Sequence, residues 1–130
     1  MLSYSKYIID AHAHIFPDKI AQKATDNIGK FYDLYMNFDG TADSLINQGS
    51  ECGVSKYVVQ SVATVPHQVK RINDFIVQSV AKYPDKLIGF GSLHPDMKGM
   101  EEEIDRLISL GLHGIKLHPD FQNFAINDEK

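Results

Sequence analysis

Apolar positions along this chain switch between two periods, and the switches mark out its elements. Tyr7 to His14 is a short run with the β-formers Ile8 and Ile9, and it predicts a buried strand. Side chains alternate along a strand, so Asp10, His12 and His14 are expected on one side, with Ile9, Ala11 and Ala13 on the other. Pro17 suits the first turn of a helix. Ile20, Ala21, Ala24, Ile28 and Phe31 follow at helical spacing and predict a helix over 17–31. The polar and aromatic stretch Tyr32 to Gly40 reads as a loop across the top of the molecule. Thr41 caps a second helix over 42–52, with Leu45, Ile46 and Cys52 on its apolar side and Gly53 at its end.

The second half repeats the alternation. Lys56 to Val62 is rich in β-formers and predicts a strand, with Ala63 to Pro66 as its exit loop. Val69, Ile72, Phe75, Ile76, Val80 and Tyr83 place a long helix over 67–83, stopped by Pro84. Leu87 to Leu93 is the third strand, and Gly89 and Gly91 within it predict a close backbone approach. His94-Pro95-Asp96 turns the chain. Glu101, Glu102 and Glu103 suit the first turn of the next helix, whose stripe is Ile104, Leu107, Ile108 and Leu110 and whose end is Gly111. Gly114 to His118 is the fourth strand, closed by Pro119, with Ile115 and Leu117 expected outward against helices and Lys116 and His118 inward.

Strands separated by helices form a parallel sheet with right-handed crossovers, so the expected class is α/β in a single unit, 1–130. Ligands of such folds lie beyond the carboxyl ends of the strands. His12, His14, His67, His94 and His118 all fall at or just after such an end, and His113 falls before a strand. Loop capping is the expected role of His67 and His94, and His113 is expected to be exposed.

Composition narrows the function. The chain is 43% hydrophobic and 23% charged, ordinary for a globular protein. A net charge of −4 and no basic patch argue against nucleic acid and anionic membrane as partners. No apolar run approaches a membrane span, and no signal peptide is legible. Cys52 is the single cysteine; it is expected to be a small buried residue, and a reducing cytoplasm is the expected compartment. The chemistry is concentrated in two places. His12 and His14 on one strand face can grip one divalent metal ion. Asp10 shares their face and either orients an imidazole or binds backbone amides. Lys116 and His118 are the inward pair of the fourth strand. Phe16, Phe121 and Phe124 are candidate walls of an apolar pocket, or core.

Ile9-Asp10-Ala11-His12-Ala13-His14 on the first strand and Gly114-Ile115-Lys116-Leu117-His118-Pro119 on the fourth, with Gln122 close behind, resemble the amidohydrolase superfamily of metal-dependent (β/α)8-barrel enzymes. The likeness is to the branch of second-type amidohydrolases, which includes aromatic-acid decarboxylases. The resemblance implies that His12 and His14 are metal ligands and that one divalent ion, expected to be zinc, is the cofactor. It implies further ligands on a fifth-strand histidine and an eighth-strand aspartate. A full barrel takes about 250 residues, so four strand–helix units are expected to form a half-barrel or truncated barrel of this TIM type. Asn127-Asp128-Glu129 reads as the cap of a further helix.

The implied function is a metal-dependent hydrolase acting on a small, carboxylated substrate through a metal-activated water. The alternatives are a decarboxylase of the same branch and a non-catalytic half-barrel that self-associates through its open strand edges. The parent fold is expected to be an enzyme and the isolated 130-residue chain inactive. Lys116 and His118 are the candidate substrate-binding residues, and no catalytic residue is assigned. For Lys116 the readings are a charge facing a substrate carboxylate, a carbamate bridging two metals, and a structural ion pair. A TatD-like nuclease also opens on a two-histidine strand, but the Gly114–Pro119 run and the acidic charge argue against it.

Overall fold

A computed structural model describes residues 7–128. Its elements are β1 (Ile8–His14), α1 (Asp18–Tyr32), α2 (Ala42–Glu51), β2 (Val54–Gln60), a 3-10 turn (Pro66–Gln68), α3 (Val69–Lys82), β3 (Leu87–Ser92), α4 (Met100–Ser109), β4 (Gly114–Lys116) and α5 (Pro119–Gln122). All neighbouring strands pair in parallel in the order β1-β2-β3-β4. The sheet curls into half of a barrel with helices between its strands, as the alternation of periods predicts. Among the described residues no helix is long and apolar enough to cross a membrane.

The core lies between the sheet and its helices. Ala13, Ile15, Tyr57, Val59, Ile76, Leu87, Leu107 and Leu112 form its main cluster. Gly89 and Gly91 exist for that packing. A Cβ on Gly89 would lie 2.6 Å from Leu112 and 2.9 Å from Ile76, and one on Gly91 would run into Leu107. The close approach lets the α3 and α4 side chains sit against β3. Burying Ile76 or Leu107 contributes ~2 kcal/mol each.

Two polar devices fix the carboxyl ends of the strands. The buried Asn73 of α3 accepts from Ser92 N at 2.7 Å and donates to Ser92 O at 3.0 Å and to Glu103 Oε1 at 2.8 Å. Glu103 is itself buried and bonded twice to Arg106, whose guanidinium also reaches Asp74 at 2.7 Å. Gln122 is the second device. Its amide donates to Ala63 O at 2.8 Å and Leu93 O at 2.6 Å, and its Oε1 accepts from His118 N at 2.8 Å. One buried side chain therefore ties the exits of β2, β3 and β4.

Several expectations are corrected. β1 is an edge strand, with Ile8 40% and Ile9 46% exposed, because among the described residues only β2 flanks it. Ile115 is 38% exposed on the short β4, which among the described residues pairs only with β3. Cys52 is exposed at the end of α2, where the helix has already left the core. Pro119 does not merely close the fourth strand; it opens α5 at its first turn, with His118 as the cap. Asn127 and Asp128 lie in a turn closed by Asp128 N to Ala125 O at 2.9 Å, and Glu129 lies outside the described residues.

Candidate metal and substrate site

The site begins with an irregularity in β1. Asp10 pairs with Tyr57 and Ala13 with Val59, so three steps of β1 face two of β2. This is a bulge. Asp10 Oδ1 accepts from the backbone N–H of His12 at 3.0 Å and so satisfies a donor within the bulge. Beyond it, Ala13 and Ile15 are buried in the core, while His12 and His14 line a cleft of about 1470 Å³ at the carboxyl end of the sheet. Of the two roles expected for Asp10, the carboxylate takes the one on the backbone.

His12 Nε2 and His14 Nε2 stand 3.0 Å apart. Two nitrogens bound to one ion at ~2.0–2.1 Å in a tetrahedron would be separated by roughly 3.3 Å, so the pair suits two corners of one coordination sphere. Burial, then the charges of His12, Lys116 and His118, pull the His14 imidazole down to a pKa of about 4. A neutral imidazole is the form that binds a metal. Among the described residues no group of three His, Cys, Asp or Glu side chains converges to complete such a site.

Lys116, the last residue of β4, reaches across the concave face. Its Nζ lies 3.3 Å from His12 Nε2. Burial pulls its ammonium below the ordinary lysine range, and among the described residues no carboxylate is paired with it. Among the described residues Lys116 makes no ion pair, the structural role expected as one of its readings. His118 lines the same cleft. Its Nδ1 accepts from Phe121 N at 3.4 Å, capping α5, and its Nε2 stands 3.3 Å from Tyr32 Oη. Burial, then Lys116, lowers its pKa, with Asp120 opposing.

Phe16 and Phe121 line the cleft as expected, whereas Phe124 lines a separate shallow pocket with Pro119 and Asp120. Phe121 stacks on His118 at 4.3 Å and meets Phe31 edge-on at 4.6 Å. The loop after α1 is fastened over the cleft. Asp33 turns left-handed at φ 53°, Thr25 Oγ1 donates to Asp39 O at 3.0 Å, and Phe16 N donates to Gly40 O at 2.9 Å. His94 is buried and accepts from Asp96 N at 3.1 Å, which makes it a turn cap. His67 and His113 are exposed. Tyr32 is the site residue that sequence reasoning missed, since its partner His118 is 86 positions away.

No family model matches the sequence, and no curated protein does. Solved structures do. Over 97% of its length the chain superposes, with a TM-score of 0.71 and 18% identity, on 46% of a 5-carboxyvanillate decarboxylase from Novosphingobium aromaticivorans solved with bound manganese. It also matches a 4-oxalomesaconate hydratase from Rhodopseudomonas palustris (TM-score 0.58, 20% identity, 87% of this chain and 42% of that one). A third match is a protein from Acinetobacter baumannii assigned as a 2-pyrone-4,6-dicarboxylic acid hydrolase, with citric acid bound (TM-score 0.54, 22% identity, 92% and 44%). The chain shares its fold with these enzymes over 87–97% of its length. The chain spans less than half the length of these solved structures. Decarboxylase, hydratase and hydrolase thus share the fold that holds His12, His14 and Lys116 together here.

Proposed function

We propose that this chain carries the two-histidine metal grip of an amidohydrolase-type hydrolase that acts on a small carboxylated substrate. The observation that supports it best is the convergence of His12 and His14, Nε2 atoms 3.0 Å apart, with Lys116 Nζ 3.3 Å from His12. His12 and His14 would hold a divalent ion, which supplies Lewis acidity when bound. Burial keeps the His14 imidazole neutral and ready to ligate. Lys116 brings a cation to within 3.3 Å of the His12 imidazole, and that cation would bind and orient a substrate carboxylate. Phe16 and Phe121 supply apolar walls for the remainder of the substrate.

Decarboxylation is the second reading. The superposition on 5-carboxyvanillate decarboxylase, at a TM-score of 0.71, favours it. Both readings need the same ion and the same lysine, and they differ in what leaves. Incubation with a panel of carboxylated aromatic acids and lactones in 18O-labelled water separates them. Hydrolysis places 18O in the product; decarboxylation releases carbon dioxide and leaves the product one carbon shorter. Turnover that survives both chelation and H12A would reject the proposal. Zinc and manganese are to be compared, because zinc is the expected ion and manganese is the one bound in the decarboxylase.

A further inference from the structure

We infer that the Tyr32 hydroxyl is a hydrogen-bond donor to the carboxylate of a small ligand in this cleft, held in place by His118. The inference rests on the carboxylate-binding reading above but not on any metal.

The assignment follows from counting protons. His118 Nδ1 accepts from the backbone N–H of Phe121 at 3.4 Å, as the cap of α5. A ring nitrogen that accepts carries no proton, so the single proton of the neutral imidazole sits on Nε2. That nitrogen is 3.3 Å from Tyr32 Oη. Nε2–H therefore donates and the tyrosine oxygen accepts. The hydroxyl's own proton is then uncommitted, for among the described residues Tyr32 Oη has no other hydrogen-bond partner. Tyr32 lines the cleft together with Lys116.

The hydroxyl is held from two directions. Tyr32 ends α1, and its ring packs against Phe31 at 4.8 Å and Phe121 at 5.9 Å. His118 is clamped by its cap bond and by Phe121, stacked at 4.3 Å with 26° between the rings. A donor fixed in advance binds an anion without paying the ordering entropy of a free side chain. A hydrogen bond to a charged acceptor is also stronger than one between neutral groups. The chemistry recognised is a carboxylate on a flat ring, because the surrounding groups are aromatic. His118 on this assignment is a positioning residue, and neither a base nor a metal ligand.

The test uses the 130-residue chain with benzoate as the probe and benzamide as its neutral counterpart. Long-range 1H–15N correlation spectra of the histidines report the tautomer directly, and His118 is expected as Nε2–H. Tyr32→Phe should weaken benzoate about tenfold, as loss of one bond to a charged group does, and change benzamide less than threefold. His118→Asn keeps an acceptor for the α5 cap and lacks the Nε2 donor, so it should weaken benzoate in the same direction with α5 retained. An Nδ1–H tautomer, or benzoate binding unchanged in Y32F, overturns the inference. If K116M loses benzoate while Y32F keeps it, the carboxylate reading stands without this one. If the wild-type chain binds no benzoate, or neither substitution matters, both fall.

Discussion

Lys116 Nζ and His12 Nε2 meet at 3.3 Å although 104 positions separate them in sequence. The contact joins the last residue of β4 to the bulged end of β1, strands at opposite edges of the sheet, and curling of the sheet makes it possible. Lys116 stands beside His12 with no carboxylate paired to it among the described residues, and its positive charge also acts on His14.

That relationship predicts a pKa response. The positive charge of Lys116 disfavours protonation of His14, as does burial, which is the larger cause. Lys116→Met should therefore raise the His14 pKa from about 4, while burial still holds it below the ordinary histidine value of 6.5. An NMR titration of the histidine ring protons measures this. A His14 pKa that is unchanged or lower in K116M would show that the two groups are not coupled.

Acid stability should hinge on Glu103. Hydrogen bonds from Arg106, then from Asn73, hold its carboxyl below the usual carboxylate range in the folded chain, against the opposing effect of burial. The folded value lies below the unfolded one, so stability from this group is complete above the unfolded pKa of ~4.3. It is lost as pH falls through the folded value. Glu103→Gln removes the charge from a buried network and should cost about 2 kcal/mol at pH 7. Urea unfolding of both proteins at pH 7 and in acid checks it, and the difference between them should shrink as pH falls. A constant gap would assign the loss to packing alone.

The chain's edges predict association. Among the described residues β1 pairs only with β2 and β4 only with β3. Ile8 and Ile9 of β1 and Ile115 of β4 are each more than a third exposed. Unpaired, apolar edges recruit other strands. Light scattering at tens of micromolar should return a mass of twice 14.6 kDa or more, and Ile9→Lys should lower it. A stable wild-type monomer would contradict the expectation.

Much of the fold was legible because each element carries one clear period. The α2 cap shows this best: Thr41 was readable as the cap, and its Oγ1 accepts from Ser44 N at 3.2 Å. Gly89 and Gly91 announced the close packing of β3. The β1 bulge was not legible, because Asp10 to Ala13 alternates as any regular strand would, and the extra residue shows only against β2. The exposure of Ile9 and Ile115 depends on which neighbours flank a strand, which no local pattern records. His12, His14, Lys116 and His118 were legible as candidates from two motifs. Tyr32 was not, because an aromatic at the end of α1 looks the same whether it packs or holds a histidine.

The central claim is that His12 and His14 hold a divalent ion between them. Equilibrium titration with manganese or zinc, followed by the ring resonances of His12 and His14, tests it most directly, with H12A and H14A measured alongside. The account predicts that the wild-type chain binds one ion through both imidazoles and that either substitution weakens binding at least tenfold. Binding that is equal in the wild type and both variants, or absent from all three, would contradict it.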